Sequence, residues 1–245
     1  MNIDEPDKQK NASSPQGRLE EVLGELRCVS QGCRSLSWQE AEKIHNEALR
    51  SFASTHSLSE ALQSSLESEV DAFVGGDEHN NFTLENYSSR VFKITHSNSF
   101  GCKVRFDPFD PELTGKNFIA QGNDCPHFYL RRWQLLNSIS DYQVQLEGIL
   151  SPERAGWLPR ICISQPYIAG KNPSQDEITQ SLVKYNYLEV SRGAYYNLET
   201  NILLTDTFPR NVRIVDGEPA LFDAIASEPC GETLDWLREK ISNIT

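Results

Sequence analysis

The chain has 245 residues, 38% of them hydrophobic and 24% charged, with a mean hydropathy of -0.51, so it can bury a substantial core as one domain with an appendage or as two small domains. Its 35 acidic and 23 basic side chains give a formal net charge of -12, which argues against general binding to nucleic acid or to an anionic membrane surface but leaves room for a local basic pocket. No apolar run approaches the roughly 18–20 residues of a membrane span, and the first residues, "MNIDEPDKQKNASSPQG", lack the apolar core of a signal sequence, so no membrane association and a cytoplasmic location are expected.

Residues 1–17 are polar and hold two prolines, the composition of a disordered tail. A helical extension is predicted over 18–73. "RLEEVLGELRCV" puts Leu19, Val22, Leu23 and Leu26 on one face. "SLSWQEAEKIHNEALRSFAS" opens with a Ser before Trp38 and sets Trp38, Ala41, His45, Ala48, Leu49 and Phe52 in a stripe, where His45 reads as a packed core histidine. "SLSEALQSSLESEVDAFV" repeats Leu58, Leu62, Leu66, Val70 and Phe73, with Ser57 and Glu60 as a capping box and Glu60, Glu67 and Glu69 as a solvated face. These two continuous stripes ask for a cover, either the rest of the chain or a partner or dimer contact. Gly75 and Gly76 end the third helix.

Beyond Gly76 the pattern changes to strands and turns. "NFTLENYSSRVFKITH" reads as two strands about an Asn/Ser-rich turn, "HFYLRRWQLLNSI" as a helix with Tyr129, Trp133 and Leu136 on one side, and "YQVQLEGIL" and "RICISQPYI" as strands. A helix, "SQDEITQSLVKY", with acids in its first turn, follows the hinge-like "QPYIAGKNPS", and "GETLDWLREKI" closes the chain as another. The fold class is α+β. Six scattered cysteines form no C-x-x-C pair and five scattered histidines form no metal signature, so reduced, idle thiols are expected.

The stretch "ILLTDTFPRNVRIVDGEPALFDAIAS", residues 202–227, carries the chemistry. Phosphoryl transfer needs a divalent cation against the phosphates, held for Mg2+ by one or two carboxylates, an amide oxygen and waters, and a further carboxylate at the attacking hydroxyl. An Asp on a short loop, an Asn at the start of a strand and a second Asp after the following hairpin bring those groups to one mouth, as Asp206, Asn211 and Asp223 are spaced to do. Each also has a plain reading: Asp206 as a turn cap before Pro209, Asn211 in a left-handed or turn position, Asp223 as a cap after a strand.

This arrangement resembles the catalytic loop and metal-binding Asp of the protein-kinase-like superfamily, with "DTFPRNV" nearest its D-x-x-P-x-N-V form. Lys93 in "SRVFKIT" looks like the strand lysine that grips the α and β phosphates, and "GGDEH", with Gly75 and Gly76, stands where a phosphate-covering turn would be, although those glycines serve equally as a helix cap and hinge. The order of Gly turn, Lys strand, helix, two strands, hinge, helix and Asp...Asn...Asp covers about residues 74–227. Together "GGDEH", "KITHSNSFG", "YLRRWQLLN", "LEGIL", "SQPYIAGKNPSQDEI" and "DTFPRNV" resemble the kinase-like domain of polyvalent proteins of phages and other bacterial mobile elements.

The resemblance implies a minimal two-lobe fold over 74–245: a strand-rich N-lobe at about 74–165, a hinge at about 165–170 whose backbone from Gln165 to Tyr167 receives adenine, and a reduced C-lobe at about 171–245. It implies ATP and Mg2+ as cofactors, Asp206 at the acceptor hydroxyl of a small molecule or protein, Asn211 and Asp223 on the metal, and Lys93 on the phosphates. Departures keep a second expectation open, a pseudokinase acting as a nucleotide-binding or interaction module. Leu204 and Thr205 replace the usual His and Arg, Asp223 is followed by Ala224 and Ile225, and only 22 residues remain. The helix "HFYLRRWQLLN" contains no carboxylate for Lys93, which leaves Glu147 or an acid of the 57–73 helix as its expected partner.

Overall fold

A computed structural model describes residues 15–68, 74–75, 78–84, 87–97, 99–108, 117–121, 123–150 and 158–243. Three helices come first. α1 (Pro15–Gly32) begins with Pro15, whose missing N–H costs nothing at a helix start, so the last three residues of the expected tail are helical. In α2 (Trp38–Thr55), Ser37 Oγ accepts from Glu40 N at 3.4 Å while the Glu40 carboxylate accepts from Ser37 N at 3.0 Å, a reciprocal cap. Trp38 is 55% exposed and lies off the buried stripe, which runs instead through His45, Asn46, Leu49 and Phe52. α3 (Glu60–Ser68) is capped by Ser59, whose Oγ accepts from Leu62 N at 3.2 Å, in place of the expected Ser57–Glu60 box. Val70, Phe73 and Glu69 lie outside the described residues.

Strands β1 (Val74–Gly75), β2 (His79–Phe82) and β3 (Arg90–Thr95) follow, then β4 (Lys103–Phe106), β5 (Phe118–Gln121), helix α4 (Pro126–Ile139), β6 (Gln145–Leu150) and β7 (Arg160–Pro166). One antiparallel sheet has the order β1-β2-β3-β7-β6. Alternation along β3 divides its side chains between two faces. Phe92 and Ile94 join Phe82, Leu84, Cys162 and, from the α3 region, Leu58 and Leu62 in one cluster. The register pairs Asn81 with Lys93 and His79 with Thr95, so these four polar residues share the opposite face. At β6, a side chain on Gly148 would meet His56 O at 2.8 Å, so this glycine lets the α2–α3 connection lie on the strand, where Ile149 N donates to His56 O.

The remainder is α5 (Gln175–Val183), β8 (Leu188–Ser191), β9 (Ala194–Asn197), β10 (Ile202–Thr205), β11 (Val212–Val215), β12 (Glu218–Leu221), β13 (Ile225–Ser227) and α6 (Gly231–Ser242). A four-stranded sheet runs β13-β10-β9-β8, and β11 and β12 form a hairpin about Asp216 and Gly217, both at positive φ as such a two-residue turn requires. The whole is α+β with antiparallel sheets.

One core unites these parts. Leu19, Val22, Leu26 and Leu49 of the N-terminal helices are fully buried with Tyr129, Leu130, Trp133 and Leu136 of α4, and the same cluster continues through Ile161 and Ile163 to Ile178, Tyr195, Leu204 and Val212. Helices α1 and α2 are thus covered by this chain's own α4 and β6, and Leu58 and Leu62 of the α3 region by β2, β3 and β7. The β4–β5 hairpin, which falls within the span expected to form the strand-rich N-lobe, packs on later elements: Phe106 and Phe118 meet Trp236 of α6, and Asn117 N donates to Ser191 Oγ at 2.8 Å. Among the described residues no helix is long and apolar enough to cross a membrane.

Candidate active site

The loop after β10 is held in a tight, left-handed start. Asp206 has φ 52°, a conformation sparsely used outside glycine, and it is Asp206 and not Asn211 that occupies it. Asn211 Nδ2 donates to both the carbonyl O and the Oδ2 of Asp206, at 2.7 and 2.8 Å, while Arg210 Nη2 reaches Oδ1 at 2.6 Å. Thr207 N donates to Gly193 O at 3.0 Å and Asn211 N to Phe208 O at 2.8 Å, which ties the loop to the β8–β9 turn and closes it on itself. Gly193 is required there, at φ 70° with the Phe208 ring so close that an added Cβ would come within 2.4 Å of it.

Asp223 stands two residues after β12 and faces this loop. A cavity of about 450 Å³ is lined by Asp206, Asn211 and Asp223, by Glu78, His79 and Asn81 of the β2 region, by Phe118, Ile119 and Ala120 of the β4–β5 hairpin, and by Arg192 and Arg210. The three residues singled out as the catalytic and metal groups are brought to one cavity. Lys93 reaches the same place from β3: its Nζ donates to Asp223 Oδ1 at 2.9 Å and to Phe222 O at 2.8 Å. The expected partner Glu147 is engaged elsewhere, accepting from Ser164 Oγ across the β6–β7 pair.

Around Lys93 and Asp223 lies a set of charges that the spacing did not announce. Arg132 of α4 is 4% exposed and places Nη1 2.7 Å from Glu78 Oε2 and Nη2 3.8 Å from Asp223 Oδ1. Glu78 also accepts from Cys102 N at 2.9 Å. His79 Nε2 lies 3.7 Å from Asp223 Oδ1, and Nδ1 lies 3.8 Å from Glu78 Oε2. The Trp133 ring carries both cations, Lys93 at 4.9 Å and Arg132 at 4.4 Å from its centroid.

Burial raises the Asp223 carboxyl, but the charge of Lys93, joined by that of Arg132 and by the Lys93 hydrogen bond, outweighs it and holds the group at about 2. Burial together with Lys93 and Arg132 pushes His79 down to about 3, so its ring is neutral near pH 7. Burial lowers the Lys93 ammonium against the pull of Asp223. Glu78, which burial alone would raise, is lowered, chiefly by Arg132. Asp223 thus meets the site as an anion that keeps 31% of its side-chain surface exposed.

The other expected positions are placed differently. Gly75 is in β1, paired with Asn80, and Gly76 lies outside the described residues. Gln165 is buried in β7 opposite Val91, Tyr167 is 60% exposed, and its N–H donates to Ser89 O at 2.8 Å, so that donor is not turned to a ligand. Neither residue lines the cavity. All six cysteines are free. Among the described residues no group of three or more His, Cys, Asp and Glu side chains could hold a metal, so a cation here would take Asp223, the Asn211 amide oxygen and ligand or water oxygens.

Sequence reasoning passed over Arg132, Glu78 and His79. Arg132 was detectable, since it falls three residues after Tyr129 and four before Leu136, on the apolar stripe of α4, where a charge needs a buried partner. Nothing local marks Glu78 as that partner. Compared with known proteins, the chain matches no family model, no curated protein and no solved structure.

Proposed function

We propose that the chain binds ATP with Mg2+ and transfers the terminal phosphoryl group to a hydroxyl, as a minimal two-lobe kinase-like domain of the polyvalent, mobile-element type. The observation that carries this reading is the meeting of Asp206, Asn211 and Asp223 at one cavity with Lys93 bonded to Asp223, four residues from three separate elements. The chain order also supports it: hairpin, Lys-bearing strand, helix α4, two strands, connection and helix α5 precede the Asp206 loop. The bound metal would neutralise charge on the transferring phosphoryl group. Asp223 and Asn211 would hold it, Lys93 would turn to the phosphates, and Asp206 would orient the acceptor hydroxyl and take its proton.

The acceptor on this reading is a small molecule. Phe118, Ile119 and Ala120 wall the same cavity as Asp206, and their hairpin is anchored through Phe118 on Trp236 and through Asn117 on Ser191, so a small acceptor would suit this walled space better than a docked polypeptide. Three contacts favour the alternative of a catalytically inactive nucleotide-binding or interaction module. Both Asp206 carboxylate oxygens are occupied, by Arg210 and Asn211, and the Tyr167 N–H is occupied by Ser89.

Thermal unfolding in ATP with and without Mg2+, followed by transfer of labelled phosphate to a panel of small hydroxyl compounds, separates the readings. Nucleotide at a hundred times its dissociation constant should contribute about 2.7 kcal/mol. Mg2+-dependent stabilisation with transfer supports the enzyme. Stabilisation without transfer to any acceptor or to water supports the inactive module, and no stabilisation removes both as nucleotide-binding readings.

A further inference from the structure

We propose that Arg132, braced by Glu78, is a positioning residue for Asp223, through which helix α4 sets where the metal-holding carboxylate stands in the cleft. The proposal rests on the reading of Asp223 as a metal ligand. The guanidinium lies between two carboxylates as an ion-pair partner of both: Nη1 is 2.7 Å from Glu78 and Nη2 is 3.8 Å from Asp223, a charge contact without a hydrogen bond. Glu78 is itself fixed, by Cys102 N on its other oxygen. The indole of Trp133 lies against the guanidinium at 4.4 Å and keeps it from turning away.

Stability alone is a poor reason for this cluster. Taking four charged groups into one buried network costs desolvation that their mutual attraction only repays with good geometry, and apolar residues of similar volume often do as well. The arrangement acquires a purpose once Lys93 is considered. Lys93 is the nearest cation to Asp223, at 2.9 Å, and it is also the residue that would turn to nucleotide phosphates. When it turns, a second cation must replace its charge beside Asp223. Arg132 can, because Glu78 holds it in place independently of the nucleotide. It thereby does for Asp223 what an outer-shell partner does for any metal ligand: it fixes the carboxylate's direction before the cation arrives.

The test uses the full chain with Arg132→Lys, Arg132→Met and Glu78→Gln. A lysine can keep the ion pair to Glu78 but cannot reach Asp223 at the same time. Arg132→Lys should leave ATP affinity in EDTA near the wild-type value and raise the Mg2+ concentration for half-maximal stabilisation of the ATP complex by about tenfold or more, the effect known for outer-shell partners. Glu78→Gln should act in the same direction. A pair that only supports the fold would lower the unfolding temperature and leave the Mg2+ half-point unchanged.

A nucleotide-free arm makes the test independent of the proposed activity. Arg132→Met and Asp223→Asn, alone and combined, are compared by urea unfolding, with Arg132→Lys in place of Arg132→Met should the latter not fold. The two changes should be non-additive by about fivefold or more in the unfolding equilibrium constant. Additive effects, or an unchanged Mg2+ half-point in Arg132→Lys, overturn the proposal. If the wild type shows no Mg2+-dependent binding of ATP, the proposed function fails, and the cycle by itself decides whether Arg132 is coupled to Asp223.

Discussion

His79 should make the protein sensitive to mild acid, and replacing it with Gln should remove most of that sensitivity. The ring is 3% exposed, and burial with the charges of Lys93 and Arg132 holds it at about 3, against 6.5 when free; Asp223 and Glu78 pull the other way without restoring it. At pH 8 the imidazole is neutral in both folded and unfolded chains and contributes no pH dependence. As pH falls below 6.5 the unfolded chain takes up a proton that the folded chain refuses, so folding stability falls as pH falls, until the folded ring titrates near 3. At pH 5 the loss from this one group is about 2 kcal/mol, a substantial share of a stability of roughly 5–15 kcal/mol. Asp124 works in the opposite direction, because burial raises its carboxyl to about 6, so the wild-type profile alone is a mixture. The difference between wild type and His79→Gln isolates the ring. Urea unfolding of both proteins at pH 8, 6.5 and 5 should show the wild type losing about 2 kcal/mol more than the variant between the ends. Parallel profiles would mean that the ring is solvated or already charged in the folded chain, and the electrostatic description of the cleft would be wrong.

Three further outcomes are expected. Asp206→Ala should keep ATP·Mg2+ affinity within a few-fold and depress phosphoryl transfer by about 10² or more, whereas Lys93→Ala should weaken ATP binding as well as turnover, a contrast read from nucleotide titrations beside steady-state rates. Gly193→Ala should destabilise the chain by about 1–3 kcal/mol by urea unfolding, because the added methyl strains a φ of 70° and strikes the Phe208 ring, and transfer should fall with the displaced loop. A chain beginning at Val74 should aggregate or fail to fold, judged by size-exclusion chromatography and circular dichroism. It loses Leu19, Val22, Leu26, Leu49 and Phe52, each worth roughly 1.5–3 kcal/mol of burial, and exposes the faces of α4 and β6 beneath them.

The legible parts of the fold were those with a strong period. The 3.6-residue stripe of Leu19, Val22 and Leu26, the Tyr129–Trp133–Leu136 face, and the Ser-before-Trp38 start all correspond to observed helices, and "RVFKIT", "QLEGIL" and "RICISQP" to observed strands. The β4–β5 and β8–β9 hairpins were not read. "KVRF" and "FIAQ" are four residues each, too short to show alternation, and their stability comes from Trp236, Val190 and Leu237, which are distant in sequence.

The candidate site divides along the same line. By itself the sequence determined that Asp206, Asn211 and Asp223 would gather, because they lie within 18 residues on one loop and one hairpin with an Asp-Gly turn, so their relative placement is a matter of local geometry. Lys93 was legible from its strand and its place in the order of elements. The tertiary structure alone decided what the charges do. It gave Lys93 to Asp223 and not to Glu147, paired Arg132 with Glu78 from 54 residues away, and set Trp133 beneath both cations. The physical reason is that a buried charge takes whichever opposite charge the packing of separate elements brings within reach, and the energy that selects the pair, desolvation against attraction over 3–4 Å, has no counterpart in residue spacing along the chain.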